Sequence, residues 1–232
     1  MLRQEREAVA TIAPRLFGYQ LVQLGLLGSD LDYLAACPIR SRTVVTTIPE
    51  VPCQAIRVLG TPEQLPIAAD SADAVVMPHT LDLASDPTQV LREGERILIP
   101  EGRLVVIGFN PWSLWGLRRW MGSRAAPPWA CHFISYPRLH DWLSLLGFAV
   151  ERTDVVMFRP PIAHAGLLER FAFLDRQGAR LWPMLAGAYV VQAIKRVSTL
   201  TPITLPWRRR RVTRGRALEP AARGRRRGWG RR

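Results

Sequence analysis

A mostly parallel α/β sheet covered by helices on both faces is predicted by three features of this 232-residue chain. Short apolar runs bounded by Gly and Pro alternate with helical patterns, as βαβ units require. The run RLVVIGF at 103–109 is apolar throughout, as strands buried between two helix layers are. Connections between these elements are short, and right-handed crossovers then place helices on both faces. With 48% apolar residues, the chain has enough material for one packed domain of ordinary size.

Taken in order, residues 1–15 read as a polar lead-in with room for a short helix, 16–200 as the packed domain, and 201–232 as an Arg-rich disordered tail. QLVQL at 20–24 is a strand followed by a turn at Gly25 and Gly28, after which Ser29 or Asp30 can cap a helix through LDYLAAC. TVVTTI at 43–48 is a β-branched strand ended by Pro49, and AIRVL at 55–59 and AVVMPH at 74–79 are the next two. Asp86 and Pro87 open a helix as N-cap and first-turn residue; Val90, Leu91, Ile97 and Leu98 supply its buried face, and Pro100 and Gly102 end it. After the strand at 103–109, residues 137–147 form a helix stopped by Gly147, 148–158 a strand, 164–182 a helix and 187–197 a last strand.

The formal net charge is +13, but the segment Trp207–Arg232 holds 12 Arg and one acid, Glu219, and the rest of the chain is close to neutral. Lys195 is the sole Lys; with plentiful Ala, Gly and Pro, this resembles coding bias and weakens Arg richness as a sign of selected phosphate binding. Cys37, Cys53 and Cys131 are far apart, with no ligand spacing for zinc, and an odd number of Cys fits a reducing cytoplasm. The N-terminus is charged and lacks the apolar core of a signal peptide, and no apolar stretch is long enough to span a bilayer.

The stretch LPIAADSADAVVMPHTLDLASDPTQVLREGERILIPEGRLVVIGFNP carries a resemblance. Leu65 and Pro66 close a loop, Asp73 opens a strand, and a helix with Leu91, Arg92 and Glu93 leads to Arg96, Leu98, Pro100 and Gly102 before the next strand. In order and spacing this resembles the class I S-adenosylmethionine (SAM) dependent methyltransferases, closest to the branch with quinone-biosynthesis enzymes and uncharacterised bacterial relatives. The quoted match covers about a quarter of the chain. The resemblance implies a Rossmann-like class I methyltransferase sheet, with SAM outside the carboxyl ends of the strands. It implies that Gly25, Leu26 and Gly28 stand in the glycine-rich turn, Glu50 near the ribose, Thr61 and Pro62 against the adenine, and Met77 and His79 along the floor. It departs from the family pattern where Gln23 replaces the usual acid, Gly25-Leu26-Leu27-Gly28 the usual closer glycines, and Thr61 the usual Asp.

FNPWSLWGLRRWMG at 109–122 follows the strand after which this fold places substrate contacts. Asn110, Trp112 and Trp115 are its candidate substrate residues, either as a lid over an apolar acceptor or as part of a packed or membrane-surface helix. No acid/base pair assigns a catalytic residue, and methyl transfer needs little beyond alignment of nucleophile and methyl. His79 can serve as a pocket residue, as a general base, or as a polar strand-end residue. Asp82, Asp86, His132, His140 and His164 read as surface groups or caps. The implied activity is SAM-dependent methyl transfer to a small or lipid-like acceptor in the cytoplasm. The alternative is a non-catalytic relative that binds a partner or nucleic acid through its tail, where Trp207 and Trp229 could stack on bases and Arg could meet RNA or anionic lipid.

Overall fold

The structure, a computed structural model, describes residues 2–25, 37–47, 55–121, 131–158, 182 and 185–196, all within one compact unit, Met1–Ser198. Expectations for the helix through LDYLAAC, the helix at 164–182 (save Trp182) and the tail lie outside the described residues.

Seven strands form one sheet: β1 (Gln20–Leu24), β2 (Ser41–Thr46), β3 (Ile56–Leu59), β4 (Ala72–Pro78), β5 (Leu98–Phe109), β6 (Phe148–Val156) and β7 (Ala188–Lys195), in the order β3-β2-β1-β4-β5-β7-β6. All pairs from β3 to β5 are parallel, and β7 runs antiparallel to both β5 and β6. The chain builds outward from β1 to β3 and then returns to lay β4 on the other side of β1. That reversal is a topological switch point, where the connections leave a crevice at the strands' carboxyl ends.

The two faces of the sheet separate by side-chain alternation. Val75 and Met77 with Leu104 and Val106 belong to one core, covered by α3 (Pro87–Ile97) and α5 (Tyr136–Leu145). Ala74 and Val76 with Val105 and Ile107 belong to the other, covered by α1 (Leu2–Ile12). Leu104 to Ile107 are all at most 1% exposed, which is why that run carries no polar alternation. Among the described side chains of α1 the buried ones are Glu5, Ala8, Val9 and Ile12, an i, i+3, i+4, i+7 stripe, so the polar lead-in is a packed layer of the domain. In α3 the stripe is Val90, Leu91, Gly94 and Ile97. Gly94 leaves room for the end of the Met77 side chain, since a Cβ there would lie 2.4 Å from Met77 Cε.

Asp86 caps α3 by accepting from the backbone N–H groups of Thr88 and Gln89. The helix stops at Ile97, before Pro100 and Gly102, because the chain enters the sheet at Leu98, opposite Ala72. It then bulges: Ala74 pairs with Arg103, so five steps on β5 match two on β4. Glu101 takes a φ of 62° in the bulge, and a Cβ on Gly102 would come within 2.8 Å of the Ile99 carbonyl oxygen. Gly147, at φ 79°, terminates the turn after α5.

The residues that carry the family resemblance hold this scaffold together. The Glu93 carboxylate accepts from the Leu65 N–H at 2.9 Å and pairs with Arg96 at 2.8 Å. Arg96 in turn donates to the carbonyls of Ile67 and Leu65, both at 3.0 Å, pinning the loop after β3 to α3. Asp73 Oδ2 accepts from the N–H groups of Tyr19 and Gln20, each at 2.9 Å, which fixes the entry into β1. Lys195, buried at the end of β7, donates to the carbonyls of Glu95 and Leu98 at 2.8 Å, where α3 ends. It also meets the carboxylates of Asp70 at 3.2 Å and Glu95 at 3.0 Å.

Candidate active site at the carboxyl ends of the strands

Gly25 ends β1 at the switch point with φ 79°, a left-handed conformation that favours glycine. Its N–H donates to the Val45 carbonyl at 2.9 Å, and its carbonyl accepts from Gln23 Nε2 at 3.0 Å. Gln23, where the family has an acid, therefore serves as a donor to the turn, which a carboxylate could not do. Thr80 Oγ1, across the crevice on α2 (Thr80–Leu83), donates to the Leu24 carbonyl and joins β1 to the segment after β4. Leu26, Gly28 and Glu50 lie outside the described residues.

At the end of β3, Thr61 is exposed and Pro62 half-buried, in a turn closed by a bridge from Thr61 to Gln64. Glu63 in this turn accepts from the N–H and the hydroxyl of Ser85, tying the turn to the segment that leads into α3. Met77 and His79 do not face the crevice openly. Met77 is wholly buried beneath Gly94, and His79 is 1% exposed.

His79 leaves β4 in the left-handed region at φ 52° and turns its ring inward. Nδ1 lies 2.9 Å from Asp82 Oδ2, and Nε2 lies 3.4 Å from Glu5 Oε1. Asp82 is fully buried and also accepts from the Phe109 N–H at 3.0 Å, so its reading as a surface group or cap is corrected. Burial alone would lower the His79 pKa, but the hydrogen bond to Asp82 and the nearby Glu5 and Asp82 carboxyl groups outweigh it and raise it to about 9. Burial pushes the Asp82 carboxyl up, and the His79 ring opposes that shift. The ring lies between two carboxyl groups and is buried away from solvent. This group bridges α1 to the β4 end. Sequence reasoning missed Glu5 and Asp82. The available signal was Glu5 occupying a position of the apolar stripe in α1.

At the end of β5, Asn110 is buried and engaged with backbone: Nδ2 donates to the Ala186 carbonyl at 3.0 Å, and Oδ1 accepts from the Trp112 N–H at 3.1 Å. Trp115, on α4 (Leu114–Met121), is half-buried and packs on Gly187, where a Cβ would lie 2.8 Å from its ring. Trp112 is 74% exposed and lines a cleft of about 640 Å³ between the start of α3, α4, the segment at 132–135 and α5. Phe109 connects this cleft to the strand ends, with its ring 4.0 Å from His79 on one side and 4.9 Å from Phe133 on the other. Among the described residues no helix is long and apolar enough to cross a membrane.

Comparison with known proteins agrees with this architecture. Residues 39–106 match the family model described as a methyltransferase domain. The uncharacterised protein YafS of Escherichia coli is 35% identical over 155 residues, an alignment that spans 66% of this chain and 62% of that protein's length. Among solved structures, a SAM-dependent methyltransferase from Thermotoga maritima superposes with a TM-score of 0.59 at 19% identity, covering 84% of this chain and 89% of its own. One from Mesorhizobium loti gives 0.58 at 14% identity, covering 81% and 96%. Geranyl diphosphate C-methyltransferase from Streptomyces coelicolor, solved with S-adenosyl-L-homocysteine, gives 0.56 at 16% identity over 82% and 77%. A methyltransferase-domain segment at 39–106, the strand order and the antiparallel β7 thus give the chain the fold of the class I SAM-dependent methyltransferases.

Proposed function

We propose that the protein transfers a methyl group from SAM to a small or lipid-like acceptor. The observation that carries this reading is the Gly25 turn, with its positive φ, at the switch point between β1 and β4. A backbone turn free of a side chain allows close approach of a ligand's charged end to the strand termini. Gly25, Leu26 and Gly28 would meet the methionine portion, Glu50 the ribose, and Thr61 and Pro62 the adenine. SAM supplies a methyl on a positively charged sulfur, which an acceptor lone pair takes as the sulfur–carbon bond breaks. The chain's contribution is then orientation and exclusion of water. Phe109, stacked on Phe133 and tilted against His79, supplies apolar packing at the β4 and β5 ends. Trp112 lines the approach for the acceptor.

Calorimetry with SAM and S-adenosylhomocysteine tests this. Both are expected to bind, and no binding at millimolar cofactor would sink the enzyme reading in favour of a non-catalytic relative. Gly25→Val places a β-branched residue at positive φ and should abolish binding, whereas Gly25→Asn, which tolerates that conformation, should retain part of it. Unchanged affinity in Gly25→Val would mean that the pocket lies elsewhere.

A further inference from the structure

The cleft beyond Phe133 has a composition that neither the fold nor the cofactor site requires. Trp112, Phe133 and Trp142 give it aromatic walls, while Arg119, Arg138 and His132 bring basic groups to it. The Arg119 guanidinium lies over the Phe133 ring at 5.3 Å, and that of Arg138 over the Trp142 ring at 5.0 Å. Each guanidinium is thus held beside an aromatic ring, and its planar set of N–H donors lies among the lining of the cleft. Guanidinium donors of this kind match the oxygens of a carboxylate or phosphate. Asp86 is the one acid among the described lining residues, and its carboxylate is spent on the Thr88 and Gln89 N–H groups at the start of α3. The cleft therefore combines net positive charge with aromatic surface, and it opens one aromatic layer from the β5 end through Phe133 and Phe109.

We infer that this cleft binds an anionic amphiphile, a small molecule with a carboxylate or phosphate group on an aromatic or isoprenoid-like body. The body lies against Trp112, Phe133 and Trp142, and the anion meets the edges of Arg119 and Arg138. In the function proposed above such a molecule is the methyl acceptor, and the inference rests on that reading only for the acceptor's role, not for its binding.

Calorimetry on the full chain with 1-naphthyl phosphate, 1-naphthoate and neutral 1-naphthol separates the contributions. Either or both anions are expected to bind at least about tenfold more tightly than naphthol, a gap of about 1.4 kcal/mol; which of them binds better tells phosphate from carboxylate. The variant Arg119→Gln/Arg138→Gln should erase that gap with the C-terminal Arg segment still present. Arg138→Lys keeps the charge but loses the fork, and should give an intermediate affinity. Equal affinity for the anions and naphthol, or anion binding unchanged in the double glutamine variant, overturns the inference; the second result assigns the anion to other basic groups. SAM affinity is measured alongside. Naphthyl phosphate binding without SAM binding removes the methyltransferase reading and leaves the anion cleft standing, and the converse removes the cleft alone.

Discussion

The half of the sheet built from β4, α3 and β5 and the half built from β1 to β3 use polar side chains for different ends. In the first half, most polar residues that resemble the family are consumed by the scaffold. Asp86 caps α3, Glu93 and Arg96 pin the loop after β3, and Asp73 fixes the entry to β1. In the second half the groups at the strand ends are mostly backbone: the Gly25 turn held by Gln23, and the Thr61–Gln64 turn. A sequence resemblance carried by the first half therefore reports how the sheet is assembled. The proposed chemistry draws on the second half and on the aromatic segment after β5. The comparison predicts a double dissociation: substitutions in the first half should lower stability and spare cofactor affinity, while Gly25→Val should do the reverse.

The largest effect on stability is expected at His79. His79→Ala leaves Glu5 and Asp82 buried without the cation between them, a loss of about 3–5 kcal/mol in urea unfolding. The pH dependence has a defined sign. The folded-state pKa of His79 is raised from 6.5 to about 9, so its contribution is complete below pH 6.5 and is lost as pH rises towards 9. The raised carboxyl of Asp82 acts in the same sense, since its contribution is also lost as pH rises through its own folded value. The urea midpoint of the native protein should fall between pH 6.5 and 9, and that fall should be absent in His79→Ala. Glu5→Gln, which removes one carboxylate charge and keeps a polar group, should move the loss to lower pH. A midpoint that is flat over this range in the native protein would show that the cluster is not charged as described.

A smaller effect is expected at Lys195. Lys195→Met strands the carbonyls of Glu95 and Leu98 at the end of α3, at a cost of about 1–3 kcal/mol. Lys195→Arg should recover little of it, because these acceptors converge on one compact ammonium, which a planar guanidinium cannot replace. SAM affinity of the folded variant should be unchanged. A large loss of affinity with little loss of stability would break the division between the two halves.

This division also explains what could be read along the chain. The strands and α3 were legible because period-2 and period-3.6 patterns, turn glycines and the Asp86-Pro87 cap agree locally. The packing of α1 was obscured by its charge, since Glu5 stands in the apolar stripe and its partner His79 is 74 positions away. Asn110 and Trp115 were recognised as unusual, but their neighbours Ala186 and Gly187 come from a distant segment, and contacts of that kind leave no local pattern. The basic cleft was hidden for the same reason: Arg119, His132 and Arg138 sit on separate elements and converge only in the folded chain.

The smallest effect, and the sharpest in sign, is expected at Asp86, which belongs to the scaffold and also lines the cleft. Asp86→Ala removes the acceptor for the Thr88 and Gln89 N–H groups, and should lower Tm by about 2–4 °C. Asp86→Asn keeps a capping oxygen and should recover most of that loss. Both variants also remove the single acid among the described lining residues of the cleft. They should therefore bind 1-naphthyl phosphate at least as tightly as the native protein, even where stability has fallen. Affinity that drops together with Tm in Asp86→Ala but is kept in Asp86→Asn would tie anion binding to the geometry of the α3 N-terminus. Affinity that holds or rises in both separates anion binding from the cap and agrees with its placement on Arg119 and Arg138.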